Sequence, residues 1–165
     1  MRAALVLAVA LAGPAMAQDG KPTFDGVLVD ACLTERTDAP LSCAGKAADA
    51  CIETDGGYST VGMNYCTARE LDRWDGLLNG AYAKLMAQSK AMDDEMADLG
   101  SAAPKQAPLL QQMQRDWIAF RDAACSYEGS RWGGGTGAGP AGTRCMMIQT
   151  ARQYIWLNAY LDEGR

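Results

Sequence analysis

Apolar residues recur along this chain in steps of three and four, and almost nowhere in strict alternation. That spacing lines one face of a helix, whereas a half-buried strand alternates. The pattern predicts a first amphipathic helix from about Phe24 to Glu35, with Phe24, Val27, Leu28, Ala31 and Cys32 on its apolar side. Thr37-Asp38-Ala39-Pro40 breaks it. Ser42 is placed to cap a short second helix through about Ile52. Asp55-Gly56-Gly57 reads as a turn. Ser59 or Thr60 then opens the longest run, through Met63, Leu71, Trp74, Leu78, Tyr82 and Leu85 to about Met96. Gly76 and Gly80 weaken this helix slightly, and Leu99-Gly100-Ser101 stops it.

A fourth helix is expected to begin between Pro104 and Pro108, because proline is tolerated only in a first turn. It runs through Leu110, Met113, Trp117, Phe120 and Ala124. Gly129 to Gly142 holds six glycines from Gly133 onward and one proline, so it reads as a loop. The last helix runs from about Thr143 to Leu161, with Met146, Ile148, Tyr154, Ile155, Leu157 and Tyr160 available to bury. The expected fold is all-α: a disulfide-stapled bundle of about five helices with a glycine-rich loop before the last one.

The first residues follow a different logic. Arg2 precedes an apolar run from Ala3 to Leu11, and Ala15-Met16-Ala17 has the small-x-small form cut by a signal peptidase. Residues 1–17 therefore read as a cleaved signal peptide, with Gln18 at the mature N-terminus. The run is too short to span a bilayer. No cysteine follows the cut, so no lipid anchor is expected, and the protein is expected in the periplasm or outside the cell. The formal charge of −5 argues against nucleic-acid or anionic-membrane binding through bulk charge and favours encounter with a cationic partner. There is no histidine, which excludes Ser-His-Asp and Cys-His chemistry and removes the commonest metal ligand.

Exported chains meet an oxidising compartment, where six cysteines read as disulfides. Many pairings of six are possible. Cys125 and Cys145 flank the glycine-rich stretch, Cys51 and Cys66 flank the Gly56-Gly57 turn, and Cys32 and Cys43 flank Pro40. The nearest-neighbour scheme is the expectation. No Cys-x-x-Cys pair suggests a redox role, no metal site is expected, and no cofactor is implied.

Three local patterns stand out. One is Trp74-Asp75-x-x-Leu78-Asn79-x-x-Tyr82-x-x-Leu85; another runs from Gln114-Arg115-Asp116-Trp117 through Phe120-Arg121-Asp122 to Cys125; the third is Cys145 followed by Thr150 and Arg152. Together they resemble the lysozyme-inhibitor LprI-like family of exported bacterial proteins. The resemblance covers about Cys51 to Leu157, which sets residues 51–165 apart as the family-like helical domain and 18–50 as an N-terminal helical extension. The motif residues themselves read as structural first. Trp74, Tyr82, Trp117 and Phe120 sit on apolar stripes and are expected to fill core volume. Asn79, Arg121, Asp122 and Arg152 adjoin them and are expected to form a cross-helix polar network, with Arg121 forked onto a carboxylate such as Asp75.

The resemblance implies lysozyme inhibition. An acidic inhibitor would be steered to a cationic lysozyme and would block its cleft with a cation or donor set against the two catalytic carboxylates. Ser130, Arg131 and Trp132, in the glycine-rich stretch, are the candidate contacts, since arginine and tryptophan are enriched in binding hot spots. The acidic run Asp93-Asp94-Glu95 with Asp98 is a second candidate surface. Asp75 and Asp122 can be considered as a glycosidase-like carboxylate pair. Such chemistry needs one protonated acid, and neighbouring arginines keep both ionised, so no enzyme is expected. The alternative function is a periplasmic envelope-binding or scaffold module without lysozyme inhibition.

Overall fold

The computed structural model describes residues 20–36 and 38–163. The expected signal peptide and Thr37 lie outside the described residues. Five α-helices follow in order: α1 (Val27–Glu35), α2 (Lys46–Ile52), α3 (Thr60–Asp98), α4 (Gln106–Ser130) and α5 (Ala138–Glu163), with a 3-10 turn at Pro40–Cys43 between α1 and α2. Among the described residues there is no strand.

Helix α3, at 39 residues, is the spine. Its start is local chemistry, as the Ser59 hydroxyl accepts the Gly62 N–H at 2.9 Å. Its end is equally local: Gly100 takes a φ of +68°, open to glycine without strain. Helix α5 lies beside α3 and parallel to it. Thr143 meets Asn64 near their starts, Tyr154 meets Trp74 at mid-length, and Leu157 joins Leu78 and Ala81 beyond. Helix α4 returns antiparallel across both. Two apolar clusters stack along this interface. One gathers Val29, Cys43, Ala47, Ala48, Trp74, Met147 and Ala151. The other holds Leu78, Ala81, Leu110, Leu157 and Leu161, and Tyr154 packs against both.

Two helices start without a cap of their own and receive one from α3. The Glu70 carboxylate accepts the Gly45 and Ala48 N–H groups at the start of α2, each at 2.6 Å. The Asp93 carboxylate accepts those of Gln106 and Ala107 at the start of α4, at 2.6 and 2.9 Å. Each satisfies backbone donors that a helix start leaves open. Ser42, the expected cap of α2, instead lies exposed in the 3-10 turn.

The structure corrects three further expectations. Helix α1 starts at Val27 rather than Phe24, and its buried residue is Val29, with Val27 and Leu28 exposed. Phe24 reaches the core from the segment ahead of the helix. Helix α4 runs on to Ser130, and α5 begins at Ala138, so Gly139, Pro140 and Gly142 are helical. The glycine-rich loop of 129–142 is thus only a short connection, residues 131–137. Pro140 falls in the first turn of α5, where it is tolerated. Packing and a disulfide outweigh the roughly 1 kcal/mol that each helical glycine costs against alanine. Tyr160, expected to be buried, is exposed.

All three disulfides follow the nearest-neighbour scheme: Cys32–Cys43, Cys51–Cys66 and Cys125–Cys145. The last closes a separation of 20 residues, and a loop of that size contributes about 3 kcal/mol in the chain-entropy account. Cys51–Cys66 and Cys125–Cys145 both sit where α3 and α5 begin and α4 ends, so one end of the bundle carries both staples.

Candidate functional site

At the stapled end the chain turns from α4 into α5. Gly133 and Gly134 take φ values of +56° and +82°, which glycine adopts freely. The turn is closed by backbone bonds, among them Gly135 N–H to the Trp132 carbonyl at 2.9 Å and Ala138 N–H to the Gly135 carbonyl at 3.1 Å. The Trp132 ring lies against Gly137, where a Cβ would fall 2.4 Å from the ring. The indole is therefore seated on a backbone surface that only glycine supplies, yet it remains 54% exposed. Arg131 is exposed and paired with Glu128 at 3.0 Å, and the Ser130 hydroxyl donates to the Tyr127 carbonyl at 2.7 Å. Beside Trp132 a cavity of about 390 Å³ is bounded by Glu128, Arg144, Cys145, Ile148 and Gln149. Ser130 thus ends α4, and Arg131 and Trp132 open the short turn between two helices joined by Cys125–Cys145.

The motif residues separate into two groups. Trp74 and Leu78 are buried, and Tyr82 and Trp117 pack partly buried around the second cluster. Phe120 does not join them; it is 60% exposed. Of the expected cross-helix polar network only the Arg121 contact forms between helices. Asp75 and Asn79 bond each other along exposed α3, amide to carboxylate at 2.9 Å. Arg121 pairs with its neighbour Asp122 at 2.9 Å, stacks on Trp117 at 4.9 Å from the ring centre, and reaches the Thr150 hydroxyl at 3.5 Å. It does not reach Asp75. Arg152 is exposed and has no ion-pair partner among the described residues. Besides Arg121 to Thr150, the cross-helix side-chain bonds include Gln153 to Gln114 at 3.0 Å, Thr143 to Asn64 at 2.7 Å, Arg144 to Asp49 at 2.9 Å, and Arg73 to Asp30. Of the latter residues only Gln114 belonged to the sequence pattern.

Asp75 and Asp122 are each engaged on their own helix rather than facing one another. The acidic run also divides, for Asp93 caps α4 while Asp94, Glu95 and Asp98 stay exposed. Next to Glu95 the helices part around a second cavity of about 840 Å³, walled by Leu85, Met92, Leu109, Met113 and Tyr160. A third, of about 630 Å³, lies among Leu71, Arg121, Gly129, Gly139 and Thr143.

The region built from these motifs, residues 51–157, matches the family described as Lysozyme inhibitor LprI. The chain belongs to that family. The LprI match takes in α3, α4, most of α5 and two of the three disulfides, and leaves α1 and the Cys32–Cys43 bridge outside. The chain is also 31% identical over 78 residues to an uncharacterised protein of Rhizobium meliloti; the match covers 47% of this chain and 56% of that protein. The chain thus spans about half the length of the curated relative it matches. No solved structure matches. No helix among the described residues is long and apolar enough to cross a membrane.

Proposed function

We propose that this LprI-family protein is an exported lysozyme inhibitor that blocks the lysozyme cleft with its α4–α5 turn. The observation that carries the reading is the exposure of Arg131 and Trp132 side by side on a turn clamped by Cys125–Cys145. A rigid turn presents its side chains with little ordering cost on binding. The Arg131–Glu128 pair is a surface pair, worth about 0–1 kcal/mol, so the guanidinium can exchange onto a cleft carboxylate. The Trp132 ring adds apolar area of the kind that anchors interfaces. The net charge of −5 favours encounter with a cationic lysozyme. Three disulfides and the signal-like N-terminus support a periplasmic or secreted location. Occlusion needs no cofactor and no catalytic residue in the inhibitor.

The test is a cell-wall lysis assay with the oxidised protein titrated against several lysozyme types. Saturable inhibition of one type at near-equal molarity supports the proposal. The double variant Arg131→Ala/Trp132→Ala should then lose inhibition while keeping its helical signal and three disulfides. Unchanged inhibition by that variant removes the turn from the mechanism. No inhibition of any type by folded protein would favour the envelope-binding module.

A further inference from the structure

The turn is too small to hold a stable partner alone. A specific interface buries about 800 Å² on each side, and the side chains of Ser130, Arg131 and Trp132 offer on the order of 400 Å². A bound partner must therefore cover neighbouring surface, and the neighbouring surface has a distinctive make-up. On α4, Leu109, Met113 and Phe120 fall at helical steps of four and seven, on one flank. On α5, Arg152, Trp156 and Tyr160 fall at steps of four, on one flank. The bonds Cys125–Cys145, Arg121–Thr150 and Gln114–Gln153 fix an antiparallel register that brings these flanks level. Leu109, Met113 and Tyr160 wall the same 840 Å³ cavity, and Trp132 borders the 390 Å³ cavity at the opposite end.

Helical step and register together place Phe120, Trp132, Trp156 and Tyr160 along a linear strip about 30 Å long, with a concavity at each end. Trp156 and Tyr160 pack at 5.9 Å between ring centres, tilted by 47°, which stiffens the ledge they form. Its fringe carries carboxylates: Glu95 lines the larger cavity, Asp116 stands between Met113 and Phe120 on α4, and Glu163 follows Tyr160 on α5, while the arginines at the turn end, Arg131 and Arg144, are already paired with Glu128 and Asp49. Arg152, without an ion-pair partner among the described residues, is the cation in its middle. An aromatic and apolar centre with a charged rim is the anatomy of a protein-docking face, and carboxylates at the rim suit a basic protein.

We infer that this α4/α5 strip is the larger part of the docking surface and that its occupant is the same cationic lysozyme whose cleft the turn enters. The inference rests on the functional reading above. The partner's apolar surface covers Phe120, Trp156 and Tyr160, its basic residues meet Glu95, Asp116 and Glu163, and Arg152 meets a carboxylate of the partner.

The experiment measures inhibition constants against the lysozyme type that responds to wild type, for Phe120→Ala/Trp156→Ala and for Tyr58→Ala, an exposed aromatic before α3. The strip variant should weaken inhibition at least about tenfold, and Tyr58→Ala should leave it unchanged. Hydroxyl-radical footprinting of the wild-type complex, which does not depend on any variant folding, should show Phe120, Trp156 and Tyr160 protected. Wild-type inhibition with an unaffected strip variant and unprotected rings overturns the strip while sparing the turn. Wild type that inhibits no lysozyme overturns both. Sedimentation that shows wild type self-associating and the strip variant monomeric overturns the lysozyme assignment in favour of a second copy of this chain.

Discussion

The Glu70 carboxylate accepts the indole N–H of Trp74 one helical turn along α3, at 2.8 Å, and both side chains are fully buried. The same carboxylate caps α2 through Gly45 and Ala48. One acidic side chain thus orients the largest core residue and holds a separate helix onto the spine. Helical spacing puts Glu70 on the face of Trp74 and Leu78, but neither task can be read from that spacing alone.

Removing Glu70 should be among the most damaging single changes in the protein. Glu70→Ala leaves three buried donors without an acceptor, at a cost of about 3–5 kcal/mol. Glu70→Gln keeps one acceptor oxygen but turns an amide N–H₂ toward the remaining donors, and should cost less. Urea unfolding of the two variants checks the order. A Glu70→Ala variant as stable as wild type would show that water replaces the carboxylate.

The glycines of α3 should divide sharply on substitution. A Cβ at Gly76 or Gly80 meets nothing within 4 Å, so Gly76→Ala and Gly80→Ala should each stabilise the protein by about 0.5–1 kcal/mol. A Cβ at Gly62 would lie 2.1 Å from the Gly56 carbonyl oxygen and 2.7 Å from that of Gly57. Gly62→Ala must push the α2–α3 turn away and should cost about 1–3 kcal/mol. Thermal melts of the three variants give the signs directly.

Tyr154 should set part of the alkaline limit of stability. Burial first, and the Asp162 carboxylate next, raise its pKa above the ordinary 10.0, against a smaller opposing effect of Arg73. A phenol harder to ionise in the folded than in the unfolded state contributes fully below the unfolded value. That contribution is lost as pH climbs through the raised one. Denaturant midpoints followed from about pH 9 upward should therefore fall for wild type relative to Tyr154→Phe once pH passes the unfolded phenol value. Parallel curves would mean that Tyr154 ionises alike in both states.

Much of this architecture was legible because its determinants are local. Ser59 caps the helix it begins, Gly100 ends that helix, and each cysteine pair flanks its own turn. The misreadings share a different origin. Glu70 and Asp93 cap helices remote in sequence, and no spacing rule connects Glu70 with Gly45. Phe120 has the right helical step for the core, but α4 turns a neighbouring line of residues inward. The contact line follows Leu110, Trp117, Arg121 and Cys125, and Phe120 drifts off it. Gly139 and Gly142 signalled a loop by propensity and were overruled by packing. At the candidate site, Arg131 and Trp132 could be singled out from the sequence, while the strip beside them required the register of α4 on α5.

The placement of both bundle staples at one end gives the molecule a gradient of stiffness. Near that end Cys51–Cys66 ties α2 to α3, and Cys125–Cys145 ties α4 to α5. At the opposite end, the Asp93 cap and contacts around a cavity of about 840 Å³ hold the long helices together. Local opening starts where contacts are fewest, so amide exchange should proceed from the α3–α4 connection inward and reach the stapled helix ends last. A partner seated along α4 and α5 would then meet a fixed grip at Trp132 and a yielding one at Tyr160. Such a face accommodates differences among targets at one end without surrendering its register at the other.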